Sequence, residues 1–154
     1  MIYFKNIRWK NLLSTGNQFT EIQLNKTSTT LIVGENGSGK STVLDALCFG
    51  LFSKPFRRIN RPQLINSIND GGLLVEIEFE VGSRTYMVRR GIKKNIFEIF
   101  VDGQRLNQDA KTQDSQEYLE NTILKLNYKS FTQIVLLGAN HYIPFMQLKS
   151  QDRK

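Results

Sequence analysis

With one cysteine in 154 residues, the chain cannot form an internal disulfide, and the composition fits a reducing compartment. That residue, Cys48, follows a glycine-rich turn on an apolar stretch and reads as a small core side chain rather than a nucleophile. Histidine is equally scarce: His141 is the only one, and by itself it reads first as an ordinary surface or packed side chain. No apolar run is long enough to span a membrane, and Met1–Arg8 lacks the apolar stretch of a signal peptide. A cytoplasmic protein without a membrane partner is therefore expected. Acidic residues are few, 14 against 21 lysines and arginines, giving a net charge of +7. That balance favours an acidic partner, with nucleic acid the first candidate. Nothing repeats internally, and the length allows one domain with a sizeable core.

Against these absences stands Gly34-Glu35-Asn36-Gly37-Ser38-Gly39-Lys40-Ser41, which spells G-x-x-x-x-G-K-S, a phosphate-binding loop. Its context fits. Thr29–Val33 is a short β-prone apolar run that reads as a buried parallel strand, and Ser41–Phe49 reads as a helix with a buried apolar side. Glycines let successive backbone N–H groups point inward at phosphates, and the helix start adds positive potential. Asn36, Gly37, Ser38, Gly39, Lys40, Ser41 and Thr42 are therefore the candidate ATP-binding residues. Lys40, the candidate catalytic residue, should reach the β- and γ-phosphates; Ser41 should ligand Mg2+, and Thr42 should donate to the α-phosphate.

The rest of the chain reads as mixed α/β. Residues 2–9 and 18–24 alternate apolar and polar side chains, as half-buried strands do. A basic, proline-interrupted connection follows the loop's helix from Ser53 to Pro62. Leu73–Val81 alternates cleanly, with Val75, Ile77, Phe79 and Val81 on one face. Gly82-Ser83 turns the chain into a strand over 84–90, and Asn95–Val101 makes another, closed by Asp102-Gly103. An antiparallel meander after a phosphate-loop helix is unusual for a simple alternating α/β kinase. A helix is expected over about 113–126, with Asp114 capping it, and a further buried strand over 131–137. The end of the chain looks like the start of a polar helix.

A phosphate-loop hydrolase also needs an apolar strand ending in an acid that serves magnesium. The only look-alike, Ile99–Asp102, ends in a hairpin turn and reads as structural. No Ser-Gly-Gly signature is present either, so the site is half built.

Several stretches resemble the ABC-type ATPase heads of SMC-like (SbcC-like) DNA-repair proteins. They are Lys5-Asn6-Ile7 through Ser14, and the extended loop Gly34–Leu47 with Asn-Gly inside it and Leu-Asp-Ala after it. Lys54-Pro55-Phe56-Arg57, Gln63–Ser67, and Ile134–Gly138 followed by Pro144-Phe145-Met146 are similar to the T-even phage recombination endonuclease large subunits within that family. The resemblance implies that residues 1–148 form the N-terminal lobe of a split ATPase head, with 149–154 opening a coiled coil. It further implies ATP and Mg2+ as cofactors, a C-terminal lobe carrying the signature motif and acidic strand, and a homodimer of heads closing on ATP. DNA, bound independently of sequence, and a nuclease subunit acting at DNA ends are the implied partners, in double-strand break repair and recombination.

There are departures. The family often has Phe-Arg-Ser-His after its first strand, where this chain reads Leu12-Leu13-Ser14-Thr15. The glutamine that holds magnesium in the family should fall at 138–141, which read Gly-Ala-Asn-His; Asn140 or His141 is then the candidate metal residue, Gln133 lying too early. Two basic clusters, Lys54, Arg57, Arg58 and Arg61, and Arg84, Arg89, Arg90, Lys93 and Lys94, are candidates for a DNA phosphate surface, the plain alternative being a solvated sheet rim. Arg57 and Arg58 follow the loop's helix and could instead approach the nucleotide. A stand-alone P-loop kinase and a non-hydrolytic nucleotide-binding module remain the alternative functions.

Overall fold

Alternation of apolar and polar residues drives the β-structure. In the computed structural model, which describes residues 1–69, 71–107 and 112–136, six strands form one antiparallel sheet. These are β1 (Ile2–Lys10), β2 (Thr20–Gln23), β3 (Leu74–Val81), β4 (Arg84–Gly91), β5 (Ile96–Val101) and β6 (Gln104–Arg105), in the order β2-β1-β3-β4-β5-β6. The register aligns Ile7, Ile77, Val88 and Ile99 in one row across the sheet, and all four are fully buried. On the other face Arg8, Glu76, Arg89 and Glu98 are aligned, and they pair as a ladder of alternating charge that continues to Arg105. Opposite charges placed directly across strands support the register while keeping this face polar.

Helix α1 (Thr42–Phe52) lies on the apolar face against β1, β3 and β4. It is buried almost all round, because the 54–65 connection and the later helices cover the sides that the sheet does not. Gly50 allows the close approach: a Cβ there would lie 2.4 Å from Ile77 Cδ1 and 3.1 Å from Val75 Cγ1. The helix ends at Ser53 in the left-handed conformation, φ 61°, its N–H bonded to Phe49 O at 2.8 Å.

Arg90 seals the same end from β4. It is paired in register with Val75 and Phe97 on the apolar face and is only 4 % exposed. Its Nε donates to Gly50 O at 2.9 Å and its Nη2 to Gln116 Oε1 at 2.6 Å, while the guanidinium lies 3.7 Å from the Phe97 ring centre. Burial, and then the nearby Arg61, pull its pKa down, with Glu120 opposing. The α1 carbonyl ends and the ring face supply the compensating negative potential.

Two expected strands are absent. Residues 29–33 form no ladder, and Leu31 and Val33 are 84 % and 77 % exposed. A parallel strand is buried by neighbours on both sides, and this run pairs with neither edge of the sheet among the described residues. Residues 131–135 continue a helix instead: α3 (Tyr128–Ser130) runs on as a π-helical turn over Phe131–Val135. The physical reason is local. Asn127 caps the helix, its side chain accepting from Ser130 N–H at 2.8 Å, and burial is one-sided, with Phe131 buried and Ile134 69 % exposed. The preceding helix, α2 (Thr112–Tyr118), also continues with π geometry, over Leu119–Leu124, close to the expected span; Asp114 lies inside its first turn. The expectations for Asn140, His141 and the coiled-coil start at 149–154 lie outside the described residues.

Candidate phosphate-binding cleft

The loop before α1 adopts the conformation its glycines permit. Gly37 and Gly39 have φ of +84° and +91°, values that side chains with a Cβ rarely adopt. Ser38 N–H bonds Glu35 O at 3.1 Å and Thr42 N–H bonds Gly39 O at 3.0 Å, which closes the turn onto the helix. Lys40 folds back over it, Nζ donating to Gly34 O at 2.5 Å and to Glu35 O at 2.7 Å. The ammonium thus sits above the loop, held by carbonyls that a phosphate oxygen can replace. Ser41 heads the helix exposed, with no cap bond from its hydroxyl, and Thr42 is buried beneath.

Asn36, Gly37, Gly39, Lys40, Ser41 and Thr42 line one wall of an open cleft of about 1070 Å³. The facing wall comes from two loops, around Leu13-Ser14 and Ile65–Ile68. Two buried asparagines stitch these together. Asn66 Nδ2 donates to Leu13 O at 2.8 Å and Thr15 O at 3.1 Å, and its Oδ1 accepts from Ile68 N–H and Asn69 N–H. Asn11 Nδ2 donates to Asn17 and to Gly72 O. Nothing in the sequence marks either asparagine as a wall-builder, although Asn66 lies in the Gln63–Ser67 stretch singled out above.

Leu13, at the arginine position of the family's Phe-Arg-Ser-His, lines the cleft with an apolar side chain while Leu12 before it is buried in the core, so this stretch supplies no cation. Arg57 supplies one from the other. It lines the cleft and is tied to Asp45 one turn into α1, with Nε and Nη2 both 2.7 Å from Oδ2. Asp45 is 1 % exposed, and its Oδ1 accepts the backbone N–H groups of Phe56 and Arg57 at 3.1 Å. In the sequence Asp45 stands out only as part of the Leu-Asp-Ala pattern after the loop. Lys40 and Arg57 are the cations lining the cleft among the described residues, and no described carboxylate lines it.

The basic clusters separate. Lys54, Arg57 and Arg58 line a second groove of about 410 Å³ with Tyr128, Thr132 and Gln133; Lys54 and Arg58 are exposed. Arg61 is exposed and lies 5.9 Å from the Phe49 ring centre. Arg89 and Arg90 are neighbours on a strand and so face opposite sides: Arg89 joins the charge ladder, and Arg90 is a buried helix-end clamp rather than part of a phosphate-tracking surface. Arg84 and Arg105 line a third depression of about 520 Å³, and Lys93 and Lys94 are exposed in the β4–β5 turn. Asp102 belongs to its hairpin, accepting from Thr85 N–H at 2.9 Å.

Cys48 is fully buried; burial, and then the charge of Asp45, push its thiol up to about 12. It should resist alkylation at pH 8 in the native state and react on unfolding; rapid native-state labelling by iodoacetamide would contradict its core position.

Comparison with known proteins gives a consistent picture. A family model described as an AAA domain matches residues 6–154. Exonuclease subunit 2 of Escherichia phage RB69 is 49 % identical over 148 residues, covering 96 % of this chain and 26 % of that protein. A DNA double-strand break repair Rad50 ATPase of Methanococcus maripaludis is 31 % identical over 154 residues, covering 97 % of this chain and 15 % of that protein. The chain thus spans about a quarter of the length of its phage relative. In structure, a chain solved in work on ATP-driven dimerization and DNA-stimulated activation of SMC ATPases superposes with a TM-score of 0.67 at 23 % identity, over 98 % of this chain and 95 % of that one. Among the described residues no helix is long and apolar enough to cross a membrane. With the cleft, the meander and these relatives in agreement, the chain belongs to the AAA domain family, as an N-terminal lobe of the SMC-like, SbcC-like ATPase type.

Proposed function

We propose that this chain is the ATP-binding half of a DNA-repair ATPase that controls a partner nuclease. The observation that carries this is the cleft itself: a glycine loop at a helix N-terminus with Lys40 above it, a second cation in Arg57, and no described carboxylate to act as base. Such a wall can bind a triphosphate but does not by itself supply the acidic groups that hydrolysis requires. ATP would be held by the N–H groups of residues 36–42, with Lys40 at the β- and γ-phosphates and Mg2+ at the free hydroxyl of Ser41. The metal would neutralise charge developing on the phosphates. The donors fit that role: the Ser41 hydroxyl is a hard oxygen, exposed at the mouth of the loop. The remaining magnesium ligands, the water-activating acid, and a second head would come from elsewhere in the complete protein and its dimer, and residues 149–154 would open the coiled coil between lobes.

The relatives' names point the same way, to an exonuclease subunit and to double-strand break repair. We place the DNA contact on the groove of Lys54 and Arg58, with Arg61 at its side; Lys93 and Lys94 are a second exposed site for backbone phosphates. In the full-length protein, ATP turnover should rise on adding DNA, and Lys54→Glu with Arg58→Glu should weaken DNA binding by roughly tenfold at low salt. Turnover indifferent to DNA, together with unchanged DNA affinity in that variant, would remove DNA from the reading.

A further inference from the structure

Asp45 makes more contacts than a core-facing acid on a helix requires. Its two oxygens divide their work. Oδ1 takes the backbone N–H groups of Phe56 and Arg57, which fixes the path of the chain leaving α1. Oδ2 takes the Arg57 side chain through Nε and Nη2, both at 2.7 Å. The carboxylate is almost completely buried whereas the Arg57 side chain is 41 % exposed, so the pair reaches from the core to the cleft wall. Nη1 of Arg57 has no partner among the described residues. A guanidinium gripped along one edge keeps its other edge fixed in direction, and that is the geometry for taking phosphate oxygens in a fork.

We infer that Asp45 is a positioning residue for nucleotide binding: it orients Arg57 toward the phosphates so that the cleft works with two preset cations rather than one. The inference rests on the proposed ATP site and adds to it a residue that does not itself touch the ligand. Ordering a long arginine side chain costs entropy when it is done at the moment of binding. Asp45 has already restricted it in the folded protein. The alternative is that Asp45 merely anchors the backbone turn.

The two roles separate in one substitution. Asp45→Asn keeps an oxygen for the Phe56 and Arg57 N–H groups but replaces Oδ2 with an amide that has only donors to offer the guanidinium. Calorimetric titration of the full-length protein with Mg-ATP, for wild type, Asp45→Asn, Arg57→Gln and the double variant, decides the matter, with melting temperatures recorded alongside. Asp45→Asn should weaken ATP binding by about tenfold, the size of one charge-assisted hydrogen-bonded contact. It should have little further effect once Arg57 is glutamine, because the acid acts only through that side chain. An equal loss in both backgrounds would reduce Asp45 to scaffold and overturn the inference, as would tighter binding by Asp45→Asn, which would mean that the acid withholds Arg57 from the ligand. If the double variant fails to fold, Arg57→Gln and Asp45→Asn alone still decide: Arg57→Gln binding ATP as tightly as wild type overturns the inference. Failure of the wild-type protein to bind ATP would instead remove the site reading itself, a separate result.

Discussion

Lys40→Ala is expected to weaken ATP binding by at least about a hundredfold, roughly 3 kcal/mol, without unfolding the protein. Lys40 is the cation closest to the loop, and in the empty protein its ammonium is held by Gly34 O and Glu35 O. When phosphate enters, the charge exchanges two neutral carbonyl contacts for anionic ones, and charge-assisted hydrogen bonds are the stronger kind. Alanine removes that gain and leaves the polyphosphate facing a wall whose other cation, Arg57, is already shared with Asp45. The side chain takes little part in the core, so the melting temperature without nucleotide should stay within a few degrees of wild type. Equilibrium titration with a fluorescent ATP analogue checks the first part and calorimetry the second; tight binding by the variant would show that the triphosphate does not lie over this loop.

The second large effect concerns turnover. Residues 1–154 alone should hydrolyse ATP at a rate barely above background, and a separately supplied C-terminal lobe bearing an acidic strand should raise the rate by roughly two to three orders of magnitude. The estimate is the typical contribution of a positioned general base together with metal-held charge stabilisation. The physical basis is the composition of the cleft, which offers cations, amides and hydroxyls and no described carboxylate. Steady-state phosphate release from the chain alone, from the other lobe alone and from the mixture measures it. Vigorous hydrolysis by the chain alone would require an acid at the γ-phosphate that the split-head reading does not contain.

Legibility in the sequence depended on whether the information was local. The meander strands were readable because alternation such as Val75-Glu76-Ile77-Glu78-Phe79 is its own instruction, and Gly82 and Gly103, both at positive φ, mark the turns. The phosphate loop was readable because its spacing encodes backbone conformation. By contrast, Thr29–Val33 has the composition of a buried strand but finds no neighbour among the described residues, and composition cannot report a missing partner. Phe131–Val135 is β-branched and apolar enough to suggest a strand, yet the capping Asn127 a few residues earlier decides for helix. Adjacent arginines misled for a related reason. Arg89 and Arg90 are one cluster in the sequence but two opposite faces in the sheet, and only register assigns one to the surface ladder and the other to the end of α1. Asp45 could not be found by a local rule, since it acts on backbone groups eleven and twelve residues on. For Asn66 a local rule reaches only its turn to Ile68 and Asn69, not its bonds to Leu13 O and Thr15 O.

The clamp at the end of α1 has a mechanical consequence. The helix is eleven residues long, about 16 Å at 1.5 Å per residue, with its distal end pinned by Arg90 and Gln116 and its near end forming the floor of the phosphate site. Its orientation is therefore set at both ends, by Arg90 and Gln116 at one and by Asp45 at the other. Loosening the distal end enough for a tilt of only about 4° would move the loop end by roughly 1 Å, comparable to the misplacement that costs an active site a hundredfold in rate. With ATP over the loop as proposed, the stiffness of a buried arginine some distance away would contribute to the tolerance to which the phosphates are held.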